Sequence, residues 1–344
     1  MYKLIRPILF AFSPEAAHEI IATLLKILRF VPLSGPILRS FFCYSSPKLE
    51  REVIGLKFSN PIGLAAGLDK NGELYNDFFN LGFGFIEIGS VTPLSQYGNP
   101  SPRCFRLVED QAIINRYGIN NKGVKAMVQN IQKRPPRTII GGNISKNSLT
   151  PNEQAADDCE KSFAYLYDYV DYFVINVSCP NVKDLCKLQD IDVLTAIVER
   201  LTKLRRRYDI YRPILLKVSP DLNFEQLDGV IELALHSGLD GMVATNTTTK
   251  RDGLKTDPQK VAAIGNGGLS GAPLKERSLE VIRYIHKKTE GRLPIIGSGG
   301  VMTPQDALDM LQAGASLVQI YTGFIYRGPG LVKQILKRII KASA

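Results

Sequence analysis

A thiol flanked by amides stands at Cys179, within Asn176-Val177-Ser178-Cys179-Pro180-Asn181. The apolar run Tyr172–Ile175 before it reads as a buried strand, and Pro180 keeps that strand from continuing. Cys179 thus sits just beyond a strand end, where an α/β barrel carries its chemistry. There a thiol can take or give a proton, while Asn176 and Asn181 can grip a polar ring. The competing reading is a buried structural cysteine, the commoner fate of a thiol in a reducing compartment.

Other residues of the right type recur at similar places. Ala66, Gly67, Asp69 and Lys70 follow the run at 62–65, and Ser90 and Thr92 follow 85–88. Asn143, Lys217 and Thr245-Asn246-Thr247 close three more runs, and Gly297-Ser298-Gly299-Gly300 and Tyr321-Thr322-Gly323 the last two. A lysine at an apolar strand end needs an anionic partner. Lys217 therefore suits the negative edge of a reduced flavin, or pairs with a nearby acid. Lys70 can meet a substrate carboxylate, or pair with Asp69 or Glu73. Asn115, Asn143, Asn176, Asn181 and Asn246 each offer a donor and an acceptor, which fits the edge of a pyrimidine; singly, each could be a turn or cap residue. Gly299-Gly300 and the loop Gly267–Gly271 allow close backbone approach, and Thr303-Pro304 opens a helix, so a phosphate-bearing ligand is expected there.

The elements that must position these groups follow from the apolar pattern. Eight runs read as buried strands: 62–65, 85–88, 138–143, 172–176, 214–218, 241–245, 294–297 and 317–321. Helix-length amphipathic segments separate most of them, including 193–207, 224–237, 274–288 and 304–313. The alternation predicts an α/β fold, a (β/α)8 TIM barrel. Residues 53–58 read as one extra strand before it. The first 45 residues differ: Ser13-Pro14-Glu15 starts a helix, Pro32 and Gly35-Pro36 break it, and a shorter apolar segment follows at 37–42. The result is a helical hairpin extension with a wide apolar face, either an interfacial anchor or a cap on the main domain. It is too interrupted for a signal peptide and too short of the roughly 18 uncharged apolar residues that cross a bilayer.

Composition narrows the classes. The 344 residues carry 44% hydrophobic and 22% charged residues, ordinary for a soluble globular chain. Five cysteines without a C-x-x-C pair argue against disulfides, zinc and iron–sulfur clusters, and three scattered histidines argue against a metal site. The net charge of +10 has three readings: nucleic acid, an anionic membrane surface, or an anionic ligand. Basic residues at Lys3, Arg6, Lys26, Arg29 and Arg39, and at Lys333, Lys337, Arg338 and Lys341, favour the membrane; a solvated basic face is the plainer reading.

Ordered motifs then identify a resemblance. They are Asn60-Pro61 with Leu64 to Lys70, Glu87 to Pro93, Phe105-Arg106-Leu107, Ile114 to Gly118, Asn176 to Asn181, Ala244 to Thr248, Gly267 to Gly271 and Gly314 to Tyr321. Together they resemble the dihydroorotate dehydrogenases over residues 1–340, in the quinone-using, membrane-associated class. The resemblance implies FMN, oxidation of dihydroorotate to orotate in pyrimidine synthesis, a membrane quinone as acceptor, and a peripheral place on the cytoplasmic face of the inner membrane. It divides the chain into a membrane and quinone-access segment, 1–45, and an FMN barrel, 46–344. It assigns FMN contacts to Ala66, Gly67, Leu68, Asp69, Lys70, Ser90, Asn143, Asn176, Lys217, Thr245, Gly271, Gly300, Tyr321 and Thr322. Substrate contacts fall to Lys70, Asn115, Arg116, Tyr117, Gly118, Ile119, Asn176, Asn181, Asn246 and Thr247. Cys179 becomes the base, and the quinone is placed near His18, Arg106 and Tyr321. No metal and no nucleic acid are implied.

Three positions depart from that class. Cys179 stands where it normally has Ser, Val182 where it has Thr, and Ile119 where it has Phe. In the family the Thr and Phe surround a water that relays the Ser proton. A thiol of unperturbed pKa about 8.5 ionises without such help, so the three changes are coherent. The soluble class, which uses fumarate or NAD, resembles this chain in its Cys and is the close rival. A tRNA-dihydrouridine synthase, another FMN barrel with an Asn-x-x-Cys-Pro element, is the distant one; Lys70 and the Asn115–Gly118 motif speak against it.

Overall fold

A computed structural model describes residues 2–177 and 191–342. Its centre is a closed barrel of eight parallel strands: β1 (Ile62–Leu64), β2 (Phe85–Val91), β3 (Ile139–Ile144), β4 (Tyr172–Asn176), β5 (Ile214–Val218), β6 (Gly241–Ala244), β7 (Ile295–Ser298) and β8 (Leu317–Ile320). Each strand pairs with the next in chain order, and β8 closes on β1 with Val318 opposite Ile62. The eight predicted strands are present with ends shifted by at most three residues.

Alternation along the strands sorts the side chains into layers. Ile175, Leu216 and Ile86 belong to the large outer core between strands and helices, whereas Phe85, Tyr172, Val174, Leu215, Val243, Ile296 and Leu317 form a separate buried cluster in the bore. Phe58 joins that inner cluster, its ring 5.2 Å from that of Phe85. It comes from a small hairpin, Arg51–Val53 paired with Leu56–Phe58. Residues 53–58 are therefore not one strand. Ile54 and Gly55 take positive φ (51° and 73°), the two-residue turn that joins antiparallel strands tightly.

Three helices precede the barrel: α1 (Tyr2–Ala11), α2 (Pro14–Leu28) and α3 (Ser34–Phe42). Ser13 caps α2 by accepting from the Ala16 amide, with Pro14 at the first position as expected. Gly35-Pro36 does not break the chain between helices. It lies in the first turn of α3, where Pro sacrifices no intrahelical bond. Of the three helices only Ala17 is fully buried, and Leu4, Ile8, Phe30 and Leu33 are 64–86% exposed. Among the described residues no helix is long and apolar enough to cross a membrane.

Polar contacts fix this layer to the barrel. Arg29 Nε donates to both Asp77 oxygens (2.9 and 3.1 Å), and its Nη2 donates to the Glu73 carbonyl. Glu15 accepts from Arg103 at 2.8 Å, Lys26 pairs with Glu73, and Arg106 donates to the Phe12 carbonyl at 2.7 Å.

Above the barrel mouth lies a three-stranded antiparallel sheet that the apolar pattern did not reveal. Cys104–Leu107 pairs with Ala112–Asn115, which pairs with Gly268–Gly271. The expected glycine-rich loop at 267–271 is thus largely a strand. A Cβ on Gly271 would lie 2.3 Å from the Gln111 carbonyl oxygen, so glycine is needed for this close pairing.

Candidate active site

The C-terminal strand tips enclose a cavity lined by Ala66, Gly67, Lys70, Ser90, Asn115, Asn176, Lys217, Thr245, Asn246, Thr247, Gly271, Gly300, Tyr321 and Thr322. Tyr117 and Ile119 close it from the loop after Ala112–Asn115. Residues from all parts of the barrel are thus brought to one place.

A polar layer lies between this cavity and the apolar bore. Glu87 on β2 is fully buried. Its Oε1 accepts from Asn143 Nδ2 and its Oε2 from Gln319 Nε2, both at 2.6 Å. Lys217 Nζ stands 3.9 Å from Oε1, so the lysine has the anionic partner that its burial demands. Asn143 lies behind the lining, where its Oδ1 accepts from Ser90 Oγ. Asn176 Nδ2 donates to Ser90 Oγ at 2.7 Å, and Asn246 Nδ2 donates to Asn176 Oδ1 at 3.1 Å.

Lys70 spans the rim. Its Nζ donates to Asn120 Oδ1 at 2.9 Å and lies 3.5 Å from the centre of the Tyr117 ring. Asn120, Gln319 and Glu87 have no place among the sequence-derived candidates. A polar residue two positions before Tyr321 on an inward-facing strand could have flagged Gln319, because the side-chain period is two. Glu87 obeys the same rule with respect to Gly89 at the strand tip.

Several expected contacts are placed differently. Arg116 does not line the cavity: its guanidinium donates to the carbonyls of Pro102 (3.0 Å through Nη2) and Ile264, pinning the loop from outside. Asp69 and Leu68 also lie off this cavity. The Asp69 carboxylate accepts from the Glu73 and Leu74 amides, both at 2.7 Å, and burial pushes it up to about 6. Gly118 serves as backbone, its carbonyl accepting from Gln96 Nε2 at 3.1 Å. The helix after Gly300, Pro304–Gln312, is closed by its own capping box of Thr303 and Asp306, which leaves its first amides already engaged. Residues 299–301 and Thr322-Gly323 line the cavity instead, and Thr322 opens a helix without a side-chain cap. Cys179 and Asn181 lie outside the described residues.

A second cavity opens between α2 and the barrel. Pro14, Glu15, His18, Glu19, Ala22 and Lys26 form one side, and Leu68, Asp69, Cys104, Arg106 and Ile325 contribute to the other. Gly67, Lys70, Tyr117 and Tyr321 line both cavities, so the two meet there. His18, Arg106 and Tyr321 are brought together around this second space. His18 is exposed to the cavity, where desolvation by the surrounding walls, with Lys70 and Lys26 nearby, pushes its pKa down to about 4. Burial raises the Tyr321 phenol well above its ordinary range, so it stays protonated.

Comparison with known proteins agrees with this architecture. A sequence model of the family described as dihydroorotate dehydrogenase matches residues 48–342. A protein of Christiangramia forsetii named dihydroorotate dehydrogenase (quinone) is 50% identical over 342 residues, 99% of each chain. One of the same name from Thermosynechococcus vestitus is 46% identical, covering 99% of this chain and 96% of its own. The crystal structure of DHODH in complex with ferulenol from Eimeria tenella superposes with a TM-score of 0.85 at 35% identity, covering 96% of this chain and 91% of that one. The chain belongs to the dihydroorotate dehydrogenase family.

Proposed function

We propose that the chain oxidises dihydroorotate to orotate in pyrimidine biosynthesis, with bound FMN and a membrane quinone as final acceptor. The observation that carries this reading is the meeting of two cavities at Gly67, Lys70, Tyr117 and Tyr321, one at the barrel mouth and one under the N-terminal helices. Such an arrangement lets a cofactor exchange electrons with two partners that never meet.

The residues at the mouth fit a flavin. Lys217, Asn176, Ser90, Thr245 and Gln319 line the same space, a set of donors and acceptors that suits a polar heterocycle. The bare amides at 299–301 and 322–323 suit the phosphate, and Lys217 suits the ring edge that becomes negative on reduction. FMN, when bound, supplies the hydride acceptor for substrate C6 and carries the electrons onward.

The chain's own residues do the rest. Lys70 holds the substrate carboxylate, and Asn115, Asn176, Asn181, Asn246 and Thr247 hold the ring. Cys179 Sγ removes the C5 proton; its lower intrinsic pKa replaces the relay that a serine needs. His18, Arg106 and Tyr321 border the quinone. Residues 1–45 form the quinone-access segment: the exposed apolar side chains of α1–α3 and the basic residues beside them suit peripheral contact with an anionic membrane.

Mixing the yellow protein with dihydroorotate under anaerobic conditions tests the reaction. Bleaching of the flavin by wild type, slowed at least about a hundredfold in Cys179→Ala, is the expected result for loss of a general base. Near-normal bleaching in the variant would remove Cys179 from the mechanism.

A further inference from the structure

Five residues form one directed chain of hydrogen bonds. Asn246 donates to Asn176, Asn176 to Ser90, Ser90 to Asn143, and Asn143 to Glu87. Every link runs the same way, toward the buried carboxylate. Amides and hydroxyls can each donate or accept, so four of the five members permit either direction. Glu87 accepts through both oxygens, from Asn143 Nδ2 and from Gln319 Nε2. Glu87 sets the direction at the buried end of the chain, as the Thr247 N–H does at the other.

We propose that Glu87 is a positioning residue that, together with the Thr247 N–H at the far end, fixes this direction, and with it the end of its amide that each of Asn176 and Asn246 presents to flavin and substrate. Glu87 lines no part of the cavity and touches neither ligand site directly. With Asn143 Nδ2 held by Glu87, Asn143 Oδ1 faces Ser90, the Ser90 proton is committed, and Ser90 Oγ receives Asn176. The carbonyl of Asn176 then receives Asn246, whose own Oδ1 accepts the Thr247 amide at 2.9 Å. If the chain reversed, Asn246 would present an NH2 group to the Thr247 N–H, two donors facing each other. The ion pair with Lys217 is a separate role of the same carboxylate, through the same oxygen at a longer distance.

The inference rests on the reaction proposed above, and orotate binding reads it. Glu87→Met keeps the bulk and removes the acceptor. Glu87→Gln restores an acceptor for Asn143, because the Gln319 amide that now donates to Glu87 can turn so that its oxygen receives the new NH2 group. Orotate is titrated into oxidised holoenzyme and followed by the flavin absorbance. Glu87→Met is expected to weaken orotate about tenfold, the order of one lost hydrogen bond, and Glu87→Gln to recover most of it. In an Asn176→Ala background, where the chain is cut, Glu87→Met should cost less than about threefold, since coupled residues fail to add. Equal losses in both backgrounds, or a Gln variant as poor as the Met variant, would overturn the inference. If Glu87→Met does not fold, Ser90→Ala cuts the chain without touching the buried charge and should weaken orotate similarly; an unchanged affinity would count against it. If wild type shows no response to orotate, the assigned reaction fails instead. FMN dissociation from the same variants then decides the inference: weaker FMN in Glu87→Met with recovery in Glu87→Gln supports it, and equal affinities overturn it.

Discussion

Arg29→Ala tests how the N-terminal helices are held over the second cavity. Arg29 makes charge-assisted hydrogen bonds to both oxygens of Asp77 and one to the Glu73 carbonyl. The side chains are 21% and 7% exposed, so water screens the pair only partly. Asp77 keeps Arg134 at 3.2 Å, so the substitution does not strand a buried charge. The loss is therefore well below that of breaking a buried pair outright, about 2 kcal/mol. By that estimate, local opening of α2 becomes roughly thirtyfold easier, since 1.4 kcal/mol is a factor of ten. Amide hydrogen exchange of residues 14–28 reads this directly. We expect protection there to fall about thirtyfold while the barrel strands keep theirs, and the apparent KM for a quinone analogue to rise with dihydroorotate-driven flavin reduction unchanged. Unaltered exchange in α2, or an equal loss across the barrel, would refute the account of the docking.

His18 should stay neutral throughout the physiological range. Its folded pKa of about 4 lies below the unfolded value, so protonation is resisted in the fold and the stability it contributes is lost only as pH falls from about 6.5 toward 4. Ring proton shifts of His18 should therefore be flat from pH 8 to 6, and a midpoint near 6.5 would contradict the environment described. Lys217→Met should weaken FMN binding and lower the flavin midpoint potential, because a cation near the ring favours the reduced, negative form; a potential equal to wild type would place Lys217 in a purely structural pair with Glu87. Phe30→Asp, at a side chain 86% exposed, should leave flavin reduction intact and reduce binding to anionic vesicles. Undiminished vesicle binding would move the membrane contact elsewhere.

The barrel was legible because its strands are short, continuous apolar runs buried on both faces, the pattern a parallel sheet imposes. Its strand tips could then be read off in order, which is why Lys70, Asn176, Lys217, Asn246 and Tyr321 come to one cavity. The mouth sheet was hidden because its pairing depends on tertiary neighbours: Gly268–Gly271 has the composition of a loop and becomes a strand only against Ala112–Asn115. Arg116 illustrates a different limit. A cation next to Asn115 suggests an anion, yet the local turn points it outward to the carbonyls of Pro102 and Ile264. The two-residue period points Glu87 inward, but a lone acid in an apolar strand does not say which groups it meets there. Its meaning emerged only when Asn143, Gln319 and Lys217 were seen around it.

The identity of the electron acceptor tests the central claim most directly. Flavin reduced anaerobically by dihydroorotate is mixed in turn with a short-chain quinone, fumarate and NAD, and the return of the yellow absorbance is timed. The account expects rapid reoxidation by the quinone alone, and its loss on deleting residues 1–45. Reoxidation by fumarate or NAD with none by the quinone would contradict it and place the chain's electron flow with its thiol rather than with its N-terminal helices.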